Sequence, residues 1–197
     1  MSFALGLTGS IGMGKSTTAK LFADQGCDVW DADAAVHRLY SRGGAAVEEM
    51  RQAFPKAVID DQVDRQVLKS ILAGRPDALR EIERIVHPLV ARDRAEFRMN
   101  SKADIMVFDI PLLFETGGDA AMDAVACVSV DPETQKTRVL ERGTMTEDQF
   151  AHIVAQQMPD AEKRARSEYV IVTDTLAHAR LQVQQIVAEI REGMKHA

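Results

Sequence analysis

The sequence predicts an α/β fold built on a doubly wound parallel sheet. Three observations carry this. Residues Gly9 to Ser16 match the phosphate-loop pattern G-x-x-x-x-G-K-[ST] without a departure. Apolar runs at Asp104 to Asp109 and Val125 to Asp131 read as strands buried on both faces. Strands and helices alternate after the loop, as in P-loop NTPase-type sheets.

Phe3 to Leu7 read as a short buried strand, and a helix runs from Lys15 through Ala23 with Gly26 as its C′ stop. Between them, glycines let backbone N–H groups turn inward around an anion, where a Cβ would obstruct. The helix N-terminus adds roughly half a positive charge. In this pattern Lys15 bridges the β- and γ-phosphates, and the Ser16 hydroxyl holds Mg²⁺.

Cys27 to Asp33 read as a second strand ending in carboxylates. Ala34 to Tyr40 are helical, and Ser41-Arg42-Gly43-Gly44 is a break. Ala45 to Phe54 form a helical run stopped near Pro55. Residues 58–62 are irregular, and Val67 to Leu72 form a helix ended by Gly74-Arg75-Pro76. Leu79, Ile82, Ile85, Val86, Leu89, Val90 and Phe97 then fall at helical spacing. Pro88 removes one hydrogen bond there and predicts a bend at His87. Ala34 to Met99 therefore read as a strandless helical insertion into the α/β core.

The core resumes with the strand ending at Asp109 and the one ending at Asp131. Pro132 sits in the first turn of a helix through Arg142, and Gly143-Thr144 breaks it. Thr146 and Gln149 fit a capping box. Pro159 separates that helix from Glu162 to Arg166. Tyr169 to Val172 are the last strand. Leu176 to Ile190 close the chain as an amphipathic helix with Leu181, Ile186, Val187 and Ile190 inward.

The 197 residues suffice for one such core with inserted subdomains. A net charge of −6 predicts no general attraction to nucleic acid or anionic membrane. Cys27 and Cys127 lie in apolar runs and read as reduced, buried thiols of a cytoplasmic protein. There is no C-x-x-C pair and the histidines are scattered, so no structural metal is expected. No basic leader precedes an apolar run, and no stretch approaches about 18 apolar residues. Neither a signal peptide nor a membrane span is expected.

Several side chains are candidates for chemistry. Asp31 and Asp33 follow the second strand, where ligands of such sheets bind. They read either as proton acceptors or as a solvated turn and N-cap. They share a direction only if the strand continues through Asp33. Asp109 ends an apolar strand, the place of a carboxylate acting on Mg²⁺, or of a simple turn before Pro111. Gln135, Arg138 and Arg142 share one helix face. Lys163, Arg164 and Arg166 form a second basic cluster. Either group can close over a triphosphate or be a solvated basic face. His87 reads as a structural histidine or a ligand contact.

A guanine-recognising N-K-x-D is absent. Asn100 is the single asparagine and stands in Asn100-Ser101-Lys102-Ala103-Asp104. A switch GTPase is disfavoured, and a compact chain with a helical insertion suits a small-molecule kinase.

The ordered set of Gly9 to Ser16, Asp31-Ala32-Asp33, Asp64-Arg65 with Leu68, Ile85-Val86-His87-Pro88, Asp109-Ile110-Pro111-Leu112-Leu113-Phe114-Glu115, Gln135 with Arg138 and Arg142, and Gln156-Gln157-Met158 resembles the dephospho-CoA kinase family over nearly the whole chain. The resemblance implies a nucleotide core (1–33, 104–142, 168–197), a helical acceptor-binding insertion (34–103) and a lid (143–167). It implies ATP-dependent phosphorylation of the ribose 3′-hydroxyl of dephospho-CoA, with Mg²⁺, by a monomer or weak homo-oligomer. ATP would contact Gly9, Ser10, Ile11, Gly12, Met13, Gly14, Lys15, Ser16, Thr17, Arg138 and Arg142. Asp33 would be the base beside the catalytic Lys15 and Arg142. Arg65, His87, Asp109 and Leu112 would join Asp33 at the acceptor, and Ser16 and Asp109 would hold the metal. Two departures stand out. Thr173-Asp174 replace the family's Asn-Gly-like pair after the last strand, and Val36-His37-Arg38 displace a basic residue after Asp-Ala-Asp. Another small-molecule kinase, acting on nucleosides or nucleotides, and a non-catalytic nucleotide-binding module are the alternatives.

Overall fold

The computed structural model describes residues 2–75 and 77–196. The chain forms two compact units, Met1–Trp30 with Ser101–Ala197, and Asp31–Asn100.

The first unit carries a five-stranded sheet in the order β2-β5-β1-β6-β7. Its strands are β1 (Phe3–Thr8), β2 (Asp28–Asp31), β5 (Ile105–Asp109), β6 (Ala124–Ser129) and β7 (Tyr169–Val172). β1 lies between β5 and β6, parallel to both. Its side chains are covered on both faces, as its uninterrupted pattern requires: Leu5 and Leu7 are buried on one face, Ala4 and Thr8 on the other. Helices α1 (Lys15–Asp24) and α9 (Leu176–His196) add Phe22, Val183, Ile186 and Ile190 to the same core. Each such side chain contributes about 2 kcal/mol by leaving water. The register sets Leu7 opposite Asp109. The Ile110 N–H then donates to the Leu7 carbonyl at 3.0 Å. Asp109 is thereby fixed one residue short of the point where β1 releases the phosphate loop, between strands that turn to opposite sides of the sheet.

Helices α6 (Pro132–Glu141), α7 (Glu147–Gln156) and α8 (Asp160–Ala165) complete this unit. Asp131 caps α6 by accepting from the Thr134 N–H. Thr146 and Gln149 form the expected capping box. Leu181, read as inward, is 58 % exposed. The buried stripe of α9 runs instead through Ala179, Val183, Ile186, Val187 and Ile190, positions that share one face at 3.6 residues per turn.

The second unit consists of α2 (Ala32–Tyr40), α3 (Val47–Ala53), α4 (Arg65–Gly74) and α5 (Ala78–Asn100) around Leu39, Met50, Leu68, Ile82 and Val86. α5 continues through Pro88. This unit is not strandless. β3 (Val58–Ile59) and β4 (Gln62–Val63) pair as a small hairpin. Asp60 and Asp61 both have positive φ, 48° and 64°, the conformation that matches strand twist in a two-residue turn. The usual glycine is missing, which hid the turn in the sequence. Ion pairing of Asp61 with Arg51 and the Arg42 bond to the Asp60 carbonyl support it. Pro76, the expected stop after α4, lies outside the described residues.

The second strand ends earlier than the sequence suggests. Asp31 is its last residue and the N-cap of α2, accepting from the Ala34 N–H at 2.9 Å. Asp33 therefore lies in the first helical turn, so strand alternation with Asp31 does not apply.

Candidate active site

The phosphate loop joins β1 to α1. Gly12 and Gly14 have φ of 79° and 92°, and Gly14 is the N-cap of α1. A Cβ on Gly12 would lie 2.5 Å from the Val139 side chain and 3.0 Å from the Gln135 carbonyl, so both conformation and space require glycine. Alternating backbone conformations make an anion nest of N–H groups at the positive end of α1. Ser16 and Thr17 are exposed in its first turn.

Lys15 extends from this turn to an ion pair with Asp109. The carboxylate is 2 % exposed and the lysine side chain 15 %. The β1–β5 register brings together two residues that stand 94 positions apart.

Side chains from other elements hold the loop in shape. The Gln135 side chain of α6 donates to the Ile11 carbonyl at 2.7 Å, while the Gln157 side-chain Oε1 accepts the Ile11 N–H at 3.1 Å. Thr173, just past β7, is buried, and its hydroxyl donates to the Met13 carbonyl at 2.7 Å. Arg138 donates to the hydroxyl and carbonyl oxygens of that threonine, at 3.1 and 2.5 Å. The departure at Thr173 thus keeps a polar anchor behind the loop. Gln135 and Arg138 do share a working face, as their spacing predicts. Arg142, the C-cap of α6, is exposed. Arg138, Arg142, Gly14, Thr17 and Thr175 line a cavity of about 270 Å³ beside the start of α1. That is near the lower end of ligand pockets, about 300 Å³.

The segment after β5 is built by its neighbours. Thr8 and Lys163 both donate to the Pro111 carbonyl, each at 3.1 Å. Lys163 also pairs with Glu115 at 2.8 Å and is fully buried. Burial pushes the Glu115 carboxyl up, but hydrogen bonds from Lys163 and the Met158 N–H outweigh this and hold it below its ordinary 4.5. The sequence grouped Lys163 with Arg164 and Arg166 as one basic cluster. The structure divides them. Arg164 is exposed, whereas Arg166 lies over the Phe114 ring at 4.5 Å and pairs with Asp119. Leu112 is 42 % exposed between the tethered Pro111 carbonyl and Glu115 carboxylate.

The second unit holds the remaining candidates. Asp33 and His87 are exposed on α2 and α5. Arg65 opens α4 behind the Asp64 cap, its guanidinium 5.8 Å from the centre of the Tyr40 ring. Burial, partly opposed by Arg65, raises the Tyr40 hydroxyl above its ordinary 10.

The residues with roles that the sequence did not reveal are Gln157, Thr173, Lys163 and Glu115. Each acts through a partner distant in sequence. The signals for them were the resemblance, which includes Glu115, Gln157 and the basic stretch after Met158, and the departure at Thr173; none of these named the partner.

Ser16 and Asp109 supply hard oxygen donors, the kind Mg²⁺ takes. Among the described residues there is no cluster of three or more His, Cys, Asp or Glu that could hold a metal by itself. No helix among these residues is long and apolar enough to cross a membrane.

The model of the family described as dephospho-CoA kinase matches residues 3–178. A dephospho-CoA kinase of Ruegeria pomeroyi is 71 % identical over 197 residues, covering all of both chains. A crystal structure of TT1252 from Thermus thermophilus superposes with a TM-score of 0.85 at 31 % identity, covering 95 % of this chain and 97 % of that one. A dephospho-CoA kinase from Campylobacter jejuni shares the fold with a TM-score of 0.73 at 22 % identity, covering 98 % and 99 %. With its phosphate loop, its Lys15–Asp109 pair and a family match over most of its length, the chain belongs to the dephospho-CoA kinase family.

Proposed function

We propose that Asp33, Lys15 and Arg142 carry the chemistry of this kinase, which uses ATP to phosphorylate dephospho-CoA in the final step of CoA biosynthesis. The nest at Gly9 to Thr17 takes the triphosphate, with Arg138 and Arg142 on the nucleotide side. Asp33 accepts the proton of the ribose 3′-hydroxyl as its oxygen attacks the γ-phosphorus. The bond from that phosphorus to the β,γ-bridging oxygen breaks, and ADP leaves. Lys15 and Arg142 offset the charge carried by the transferring group. Arg65, His87, Asp109 and Leu112 bind the acceptor. Ser16 and Asp109 hold Mg²⁺, which when bound offsets charge on the phosphate oxygens. Residues 143–167 act as a lid that excludes water. The enzyme works in the cytoplasm as a monomer or weak homo-oligomer.

The single observation that supports these assignments best is the Lys15–Asp109 pair at the mouth of the phosphate loop. It sets the cation that meets phosphate against the carboxylate assigned to metal and acceptor. Purified protein with ATP and Mg²⁺ should convert dephospho-CoA to CoA and ADP. Adenosine and nucleoside monophosphates should be turned over far more slowly. ATP binding without turnover of dephospho-CoA would overturn the reading.

A further inference from the structure

The transfer reaction leaves Lys163 unused, yet it is a wholly buried cation. Burying a lysine is costly unless good partners satisfy it. Its partners here, the Pro111 carbonyl at 3.1 Å and the Glu115 carboxylate at 2.8 Å, bracket Leu112. Leu113 and Phe114 are buried with Val125, which fixes the inner side of the same segment. Glu115 in turn accepts the Met158 N–H at 2.9 Å. Asp109 is held separately, by strand register and by the Ile110 N–H bond to the Leu7 carbonyl. Loss of Lys163 would therefore remove one tie on each side of Leu112, leaving the Pro111 carbonyl to Thr8 and Glu115 to the Met158 N–H, while Asp109 and the Gln135 and Thr173 anchors of the phosphate loop keep their supports.

We infer that Lys163 is a positioning residue for the acceptor, acting by fixing the Pro111–Glu115 segment so that Leu112 is presented in one place. The inference rests on the assignment of Leu112 to the acceptor side. It makes Lys163 selective: it governs binding of dephospho-CoA and leaves ATP alone.

Steady-state kinetics of Lys163→Met test it. KM for dephospho-CoA should rise about tenfold, with KM for ATP within about twofold of the native value. Lys163→Arg, which keeps the cation, should recover part of that loss. A merely structural lysine would lower the melting temperature and the active fraction without moving either KM. Should Lys163→Met not fold, Glu115→Gln decides, because its side chain is 20 % exposed and the change keeps its volume. It should raise KM for dephospho-CoA about threefold, again selectively. Unchanged acceptor KM, or equal rises for both substrates, would overturn the inference. Leu112→Ala separates the two readings. If it raises the acceptor KM and Lys163→Met does not, Lys163 alone is misassigned. If Lys163→Met raises it and Leu112→Ala does not, the segment is positioned as inferred and the role of Leu112 is wrong.

Discussion

The Lys15 ammonium is paired with the nearly buried Asp109 carboxylate across the central strand pair of the sheet. A triphosphate in the loop competes with that carboxylate for the same cation. Lys15→Met should lower turnover about a hundredfold to a thousandfold. It should also destabilise the fold by about 2 kcal/mol, since a buried carboxylate loses its lysine. At this chain length that lowers the melting temperature by about 4–8 °C. Adding Asp109→Asn should restore part of the loss, because the charge left behind is removed. Equal melting temperatures for native protein and Lys15→Met would show that the pair adds no stability.

Asp33 lies in the exposed first turn of α2, where a neutral replacement is sterically harmless. Asp33→Asn should lower kcat about a thousandfold while leaving ATP affinity near native. Its stability should change by less than about 1 kcal/mol, the size of a charge effect at a helix N-terminus. Near-native kcat would exclude Asp33 as the base.

Thr173 ties the loop to the end of β7 and anchors Arg138. Thr173→Val keeps the volume and removes the hydroxyl. A buried Met13 carbonyl then loses its donor, at a cost of about 1.5 kcal/mol. The melting temperature should fall by about 3–6 °C. KM for ATP should rise severalfold, while KM for dephospho-CoA stays near native. A rise confined to dephospho-CoA would contradict this placement.

Glu115 gives the stability curve a defined acid edge. Its folded carboxyl is held below 4.5 by Lys163 and Met158, so the folded state binds its proton less readily than the unfolded chain does. The stabilisation is complete above about pH 4.5 and is lost as pH falls through the lower folded value. Melting temperatures measured across that acid range should fall less steeply for Glu115→Gln than for the native protein. Identical slopes would show that this carboxylate does not contribute.

The two buried cysteines supply a chemical check on the core. Burial pushes the thiols of Cys27 and Cys127 up to about 11 and about 12. Neither supplies thiolate at neutral pH, so iodoacetamide should label the folded protein slowly and the denatured protein fast. Rapid labelling of folded protein would contradict the burial of Cys27, just before β2, and of Cys127, within β6.

Local pattern explains what the sequence by itself determined. Apolar runs one strand long, helical spacing, the capping box at Thr146 and the glycines of Gly9 to Ser16 report on neighbours in the chain, because period and backbone conformation are short-range properties. The sheet class, the phosphate loop and the shared face of Gln135 and Arg138 were legible for that reason. The hairpin at Val58 to Val63 was not, since its turn uses two aspartates in place of glycine. The sequence leaves the end of β2 open between a strand through Asp33 and a turn with an N-cap, because a capping carboxylate and a strand-ending carboxylate look the same until the helix is seen; folding makes Asp31 the cap.

Only the tertiary structure decided who meets whom. Lys15 finds Asp109 through strand register, Lys163 finds Pro111 across 52 positions, and Gln157 finds Ile11 across 146. No periodicity encodes those pairs. They follow from the order in which parallel strands are laid beside β1 and from where the helices return. A buried lysine and an exposed one are the same letter in the chain. What separates Lys163 from Arg164 is a carboxylate and a carbonyl that folding brings within hydrogen-bonding distance.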